Sequence, residues 1–235
     1  MTKDTFLMVS DKRYFNDRKC FELRRIGILF SNKEYAEKFI TALSEKVDYF
    51  KREPLPDNVY SLKLRDSHLY ILICGRGQNN AIIGCSKLYH FYDCKEIISF
   101  DSCIWLHSKD NVEIGNIIEF RNNIINYNYQ MKPEFYFYDD CGISSYPTDY
   151  EGQDSLLLTA SRYVSSAEVL DDLKLKWQKY NNIYYDASAY GVLAYCTANC
   201  LKLRIVRFVK GYSGEVEPSV IEKLVDYSLV YQLLN

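Results

Sequence analysis

The sequence predicts an α/β protein with a central mixed sheet flanked by helices, and two observations carry that expectation. Through the second half, apolar runs of strand length alternate with runs of helical period: Ser155 to Ala160, about Ala167 to Tyr180, Ile183 to Tyr185, Ala187 to Cys200, Leu203 to Val209 and Pro218 to Leu233. In the first half, two short apolar runs each end in turn-forming residues and lead into a helical stretch, one at Ser31-Asn32 and the other at Gly75-Arg76-Gly77-Gln78. No Pro/Ser-rich linker or internal repeat divides the chain. Residues 25–235 therefore read as a single domain, and residues 1–24, which show no clean period, as an N-terminal extension packed on it.

Arg25 to Phe30 is the first buried strand, Ser31 and Asn32 are of N-cap type, and the amphipathic run from Glu34 to Phe50 predicts a helix. Pro54, Pro56, Asp57 and Asn58 mark a loop. Val59 to Leu64 and Leu69 to Cys74 predict a hairpin across Arg65-Asp66-Ser67-His68, and apolar residues recur at helical spacing from Asn79 to Tyr92. Ile97 to Phe100 is another short buried strand, and Val112 to Phe120 is a turn entering a strand. The stretch from Asn122 to Gln153, rich in Asn, Tyr, Asp and Gly, has little periodicity and suits the rim of a site.

Composition narrows the function. The 235 residues are 48% hydrophobic and 26% charged, which supports a sizeable core and excludes disordered and low-complexity classes. With Lys+Arg 29 against Asp+Glu 31 the formal charge is −2, so no chain-wide field grips nucleic acid or anionic lipid, and neither is an expected partner. No apolar run approaches the roughly 18–20 residues of a membrane span, and charges interrupt the N-terminus where a signal peptide needs apolar length, so a cytoplasmic protein is expected. The eight cysteines contain no CxxC pair and read as reduced, mostly buried thiols. Cys196 and Cys200, four apart on the expected helix, share a face there but make a poor metal site, and with only three histidines neither a metal nor a cofactor is expected. The 22 tyrosines predict no function by their number alone.

Gly75-Arg76-Gly77, at the end of a strand and just ahead of a helix, permits a tight turn and lets backbone N–H groups face an anion. It lacks the third glycine of a dinucleotide fingerprint and the Gly-Lys-Ser/Thr of a P-loop, so taken alone it is equally a structural turn.

The order of segments adds context. Ile26-Gly27-Ile28-Leu29, Gly75-Arg76-Gly77-Gln78-Asn79-Asn80-Ala81, Ile97-Ile98-Ser99 and Glu113-Ile114-Gly115-Asn116-Ile117-Ile118 follow one another in the first half. Leu157 to Val164, Tyr185 to Ala194 and Arg204 to Gly211 follow in the second. This series resembles the purine nucleoside phosphorylase and methylthioadenosine/S-adenosylhomocysteine nucleosidase superfamily. The resemblance implies a three-layer α/β fold, a homodimer or larger oligomer, and a purine nucleoside pocket at the C-terminal edge of the sheet. There the family cleaves an N-glycosidic bond through an oxocarbenium-like sugar, with water or inorganic phosphate as nucleophile. It further implies that Tyr163 stacks on the base, that Gly75 and Gly77 keep the turn, and that Asp186 and Arg207 keep the chemical types of their positions. The family's purine-protonating acid falls at Gly211 and its ribose-gripping glutamate at Ser188. Its water-activating glutamate falls at Tyr35, with Glu34 adjacent, and its glycine-rich turn after the third core strand is replaced by Asp101-Ser102-Cys103-Ile104-Trp105.

The candidate catalytic carboxylates are therefore Glu34, Asp101 and Asp186, and the candidate substrate-binding residues are Gly75, Arg76, Gly77, Arg162, Tyr163, Ser188 and Arg207. If Arg76, Arg162 and Lys210 point inward, the pocket prefers an anion such as a nucleotide; otherwise they face solvent or pair with Asp139, Asp140 or Glu151. Two functions follow. One is a diverged nucleosidase or phosphorylase that binds a purine nucleoside or nucleotide and cleaves its glycosidic bond. The other is a catalytically inactive relative that acts as a nucleotide-binding or assembly protein.

Overall fold

A computed structural model describes residues 23–45, 51–55, 58–64, 66–108, 114–120, 124–126, 155–160 and 167–212. The first half holds β1 (Arg24–Phe30), α1 (Lys33–Ser44), β2 (Lys51–Leu55), β3 (Val59–Lys63), β4 (Ser67–Ile73), α2 (Gln78–Tyr92) and β5 (Glu96–Ser108). It is followed by β6 (Ile117–Phe120), β7 (Ile124–Asn126), β8 (Ser155–Thr159), α3 (Ala167–Lys176), β9 (Asn182–Asp186), α4 (Ala189–Ala198) and β10 (Lys202–Tyr212).

The ten described strands join one mixed sheet in the order β2-β3-β4-β1-β5-β9-β8-β7, with β10 on β5 and β6 on β10. β4, β1, β5 and β10 run parallel. Strands buried on both faces need apolar residues at successive positions, which is why β1 reads as a continuous apolar run from Ile26 to Phe30. Ile26, Ile28 and Phe30 pack with Phe39, Ile40 and Leu43 of α1 on one face. Leu29 and Leu72 pack with Ala81, Cys85 and Leu88 of α2 and with Val192 and Cys196 of α4 on the other. The result is the expected three-layer arrangement of helix, sheet and helix.

The long strand β5 determines where this arrangement opens. Ile98 pairs with Ile28 and with Arg204, whereas Trp105 pairs with Tyr184 and Tyr212. A strand has two edges, so β10 occupies one edge of β5 while β1 and β9 share the other. β1 covers that edge only as far as Phe100, and β9 takes it up at Ile104. The positions between, Asp101 to Cys103, are left facing a gap at the C-terminal ends of the parallel strands, the place where open α/β sheets bind ligands.

Several boundaries differ from the sequence expectation. Asn32 caps α1, its side-chain oxygen accepting the Glu34 N–H at 2.9 Å, but the helix closes at Ser44 instead of Phe50. Pro54, expected in a loop, lies in β2 opposite Tyr60. β2 sits at the sheet edge, where a residue without an N–H is tolerated. Asp101 to Trp105 is neither a turn nor the end of a short strand, because β5 continues through it with β10 alongside. A short strand, β7, lies within the stretch expected to be irregular, and α3 ends at Lys176, before Tyr180.

α4 is shorter than expected at both ends. Its first amide, that of Ala189, is taken by the Asp186 carboxylate at 3.0 Å. At the other end Cys200 adopts a left-handed φ of 52° while the Leu201 N–H reaches back to the Cys196 carbonyl at 2.9 Å, a helix-terminating turn. Cys196 is buried and Cys200 exposed, so the two do not share a helical face. Among the described residues no helix is long and apolar enough to cross a membrane. The expected N-terminal extension, but for its last residues, and the closing helix from Pro218 to Leu233 lie outside the described residues.

Candidate functional site

The gap beside β5 forms a cleft of about 260 Å³. Ser31, just past β1, and Arg76 and Gly77, just past β4, form one side, while Asp101 and Ser102 of β5 lie at its centre. Asp186 and Ala187, at the end of β9, and Lys210 of β10 complete it. Gly75 and Gly77 shape the turn with φ of 84° and 97°, a region that L side chains avoid, and Gly77 is the N-cap of α2. A hollow of about 760 Å³ at the opposite ends of the strands is larger, but its charges pair with one another, Arg24 with Glu96 at 2.6 Å and Lys95 with Asp93 at 2.8 Å.

Under the cleft lies a buried polar network. The Arg207 side chain is wholly buried and donates from Nε to Asp186 Oδ2 at 2.7 Å. Asp186 also accepts the Thr159 hydroxyl on Oδ1 at 2.6 Å and the Ala189 amide on Oδ2 at 3.0 Å. A second guanidinium nitrogen of Arg207 donates to the Ser99 carbonyl at 2.8 Å and the Val206 carbonyl at 2.8 Å, and the third to Ser188 Oγ at 3.3 Å. Buried charge is tolerated here because it is paired and each group finds several partners.

Asp101 is bound differently. Its Oδ1 accepts the Ser31 hydroxyl at 2.7 Å and the Ser102 N–H at 2.7 Å, and its Oδ2 faces the Ser188 hydroxyl at 3.4 Å. Ser188 thus stands between Asp101 and Arg207, within hydrogen-bond distance of both.

Burial holds the Lys210 amine below the ordinary lysine range; Asp101 opposes that shift and Arg76 adds to it. Burial raises the Tyr35 hydroxyl, whose hydrogen bond to the Ser102 side chain works the other way. Tyr35 also packs edge-on against Phe208, with ring centroids 4.8 Å apart. Cys74, at the start of the glycine turn, is pushed up to about 12 by burial, and Cys103 is raised as well, so neither is a thiolate at neutral pH. Among the described residues no group of His, Cys, Asp and Glu is placed to hold a metal ion.

Arg76, Gly77, Asp101 and Asp186 come together around the cleft, with Ser188 and Arg207 in the network beneath. Glu34 does not line it: its side chain is on α1 and pairs with Lys38 at 3.1 Å. Arg162 and Tyr163, like Asp139, Asp140 and Glu151, lie outside the described residues. Ser31 had been legible only as a cap, and Thr159 and Ser99 carried no site signal beyond being polar residues in apolar strands.

No protein-family model matches the sequence, and no curated protein does. Solved structures do match. The methylthioadenosine/S-adenosylhomocysteine nucleosidase of Campylobacter jejuni is 14% identical, with a TM-score of 0.64 over 90% of this chain and 96% of that one. The nucleosidase of Colwellia psychrerythraea, solved in complex with adenine, is 13% identical, with a TM-score of 0.64 over 91% and 94%. Futalosine hydrolase of Helicobacter pylori is 12% identical, with a TM-score of 0.64 over 90% and 96%. At these identities the likeness is one of architecture, and the chain has the three-layer α/β fold of the methylthioadenosine/S-adenosylhomocysteine nucleosidases and futalosine hydrolase.

Proposed function

We propose that this chain is a nucleosidase-like protein that binds a purine nucleoside or nucleotide in the cleft beside β5 and turns it over slowly or not at all. One observation carries the reading: Asp186 has both oxygens engaged by Thr159, Ala189 and Arg207, so its carboxylate is committed to the protein's own donors. Glu34 lies off the cleft, and the positions that the resemblance assigns to the family's acids hold Ser188 and Gly211. Two of the related structures contain adenine, which supports a purine at the corresponding place.

A second reading keeps cleavage of the glycosidic bond and assigns it to Asp101, the one remaining candidate carboxylate, which lines the cleft with no cation bonded to it among the described residues. Incubating the protein with adenosine, inosine, methylthioadenosine, S-adenosylhomocysteine and their available 5′-phosphates, with and without inorganic phosphate, tests both. Thermal stabilisation without release of free base supports binding. Release that is lost in Asp101→Asn supports cleavage, and no stabilisation by any compound overturns both readings. The homodimer implied by the resemblance is part of the same proposal, and predicts a sedimenting mass near twice the 27.6 kDa of the chain.

A further inference from the structure

We propose that Arg76 and Lys210 form a subsite for a phosphoryl group carried by the nucleoside, so that the cleft selects a nucleoside phosphate over a neutral nucleoside. This rests on the reading that the cleft holds a nucleoside, and deepens it by naming the substrate class.

Charge is the first argument. The buried Arg207 and Asp186 offset one another, which leaves Arg76 and Lys210 against the single carboxylate of Asp101 and makes the cleft cationic in a chain whose formal charge is −2. No described carboxylate lies within ion-pair distance of Arg76 or Lys210. Asp101 is held by neutral donors instead, the Ser31 and Ser188 hydroxyls and the Ser102 amide.

Backbone geometry is the second argument. β10 carries one residue more than β5 between Val209 and Tyr212, and Lys210 occupies that bulge, a device that re-aims a side chain out of the regular alternation. Arg76 lies between two glycines of positive φ at the opening of the 15-residue α2, which has neither a side-chain cap nor an acidic residue in its first turn. Both cations thus come from irregular backbone and converge on one hollow. Removing a lysine from water beside an arginine is unfavourable unless an anion compensates. A phosphomonoester, with between one and two negative charges and three acceptor oxygens, matches an arginine fork plus a lysine point charge.

Titration calorimetry on the full chain with adenosine, adenosine 5′-monophosphate, inorganic phosphate, and adenosine plus inorganic phosphate tests the proposal. The monophosphate is expected to bind at least about tenfold tighter than adenosine, with a preference that shrinks as salt is raised. Arg76→Gln and Lys210→Gln are each expected to bring the ratio to within about twofold by weakening the monophosphate more than adenosine, and Arg76→Lys to retain part of it. Equal affinities for adenosine and its monophosphate, or a preference that survives both glutamine variants, overturn the subsite and leave the nucleoside reading standing. An identical gain from free phosphate added to adenosine also overturns it, since the anion is then a separate co-substrate. Binding of none of the four removes the underlying reading as well.

Discussion

Replacing Asp186 by Asn separates a structural role for this residue from a catalytic one. The substitution keeps the size of the side chain but removes the charge facing Arg207, whose side chain is 0% exposed. It also points an NH2 group at a set of donors, since Thr159 Oγ, the Ala189 amide and Arg207 Nε all donate to the native carboxylate. Leaving one member of a buried ion pair without its partner costs about 3–5 kcal/mol. At about 2–4 °C per kcal/mol for a domain of this size, the melting temperature falls by about 6–20 °C. Urea denaturation should give a loss of the same size from the shift in midpoint at constant slope. The double variant Asp186→Leu with Arg207→Met removes both charges and so leaves no unpaired guanidinium. It also takes partners from the Thr159 hydroxyl, the Ala189 amide and the Ser99 and Val206 carbonyls, so it recovers only part of that loss. The reasoning is refuted if Asp186→Asn unfolds within about 1 kcal/mol of the parent protein.

Glu34→Gln weakens an exposed i,i+4 contact with Lys38 outside the cleft, so denaturant unfolding should show a loss below about 0.5 kcal/mol and calorimetry an unchanged ligand affinity. Gly77→Ala meets no atom within 4 Å, so its cost is backbone strain at a φ of 97°, about 1–3 kcal/mol by urea denaturation, and a neutral result would mean that the turn relaxes freely. Lys210 titrates lower in the folded chain than in the unfolded one, whose value is near 10.5. Across the interval between the two values the unfolded chain binds more protons, so this group's contribution to stability rises with pH, and below the folded value its full penalty applies. Lys210→Met should therefore raise the melting temperature at neutral pH and remove that component of the alkaline rise; a lower melting temperature would contradict the burial argument.

The parallel centre of the fold was legible because β1 and the middle of β10 are buried at successive positions, a condition met mainly by apolar runs. β2 was not, since its proline is permitted only by an edge position that no local pattern reveals. The length of β5 was hidden by Asp101-Ser102, polar residues that interrupt its apolar run because they face the gap between β1 and β9. In the site, Asp101, Asp186 and Arg76 could be singled out by residue type. Their different states could not, because the engagement of Asp186 depends on Arg207 and Thr159, which lie 21 and 27 positions away. Arg207 did carry a signal, an arginine between Ile205-Val206 and Phe208-Val209, where a charge is stable only with a buried partner.

The buried network and the charges of the cleft rest on different parts of the backbone. Arg207 donates to the Ser99 carbonyl of β5, to the Val206 carbonyl of β10, to Asp186 at the end of β9 and to the Ser188 hydroxyl ahead of α4, so it ties together the segments that frame the gap. A substitution there disturbs strand positions. Arg76 and Lys210 sit instead on a glycine turn and in a strand bulge, where a side chain changes without breaking a regular ladder. Asp101 lies between these regimes: its backbone is paired with Arg207 on the β10 edge of β5, while its carboxylate takes neutral donors, Ser31, Ser188 and its own neighbour Ser102. The residues that fix the shape of the cleft are thus distinct from those that set its charge, and a fold shared with nucleosidases at 11–16% identity is compatible with a different ligand charge.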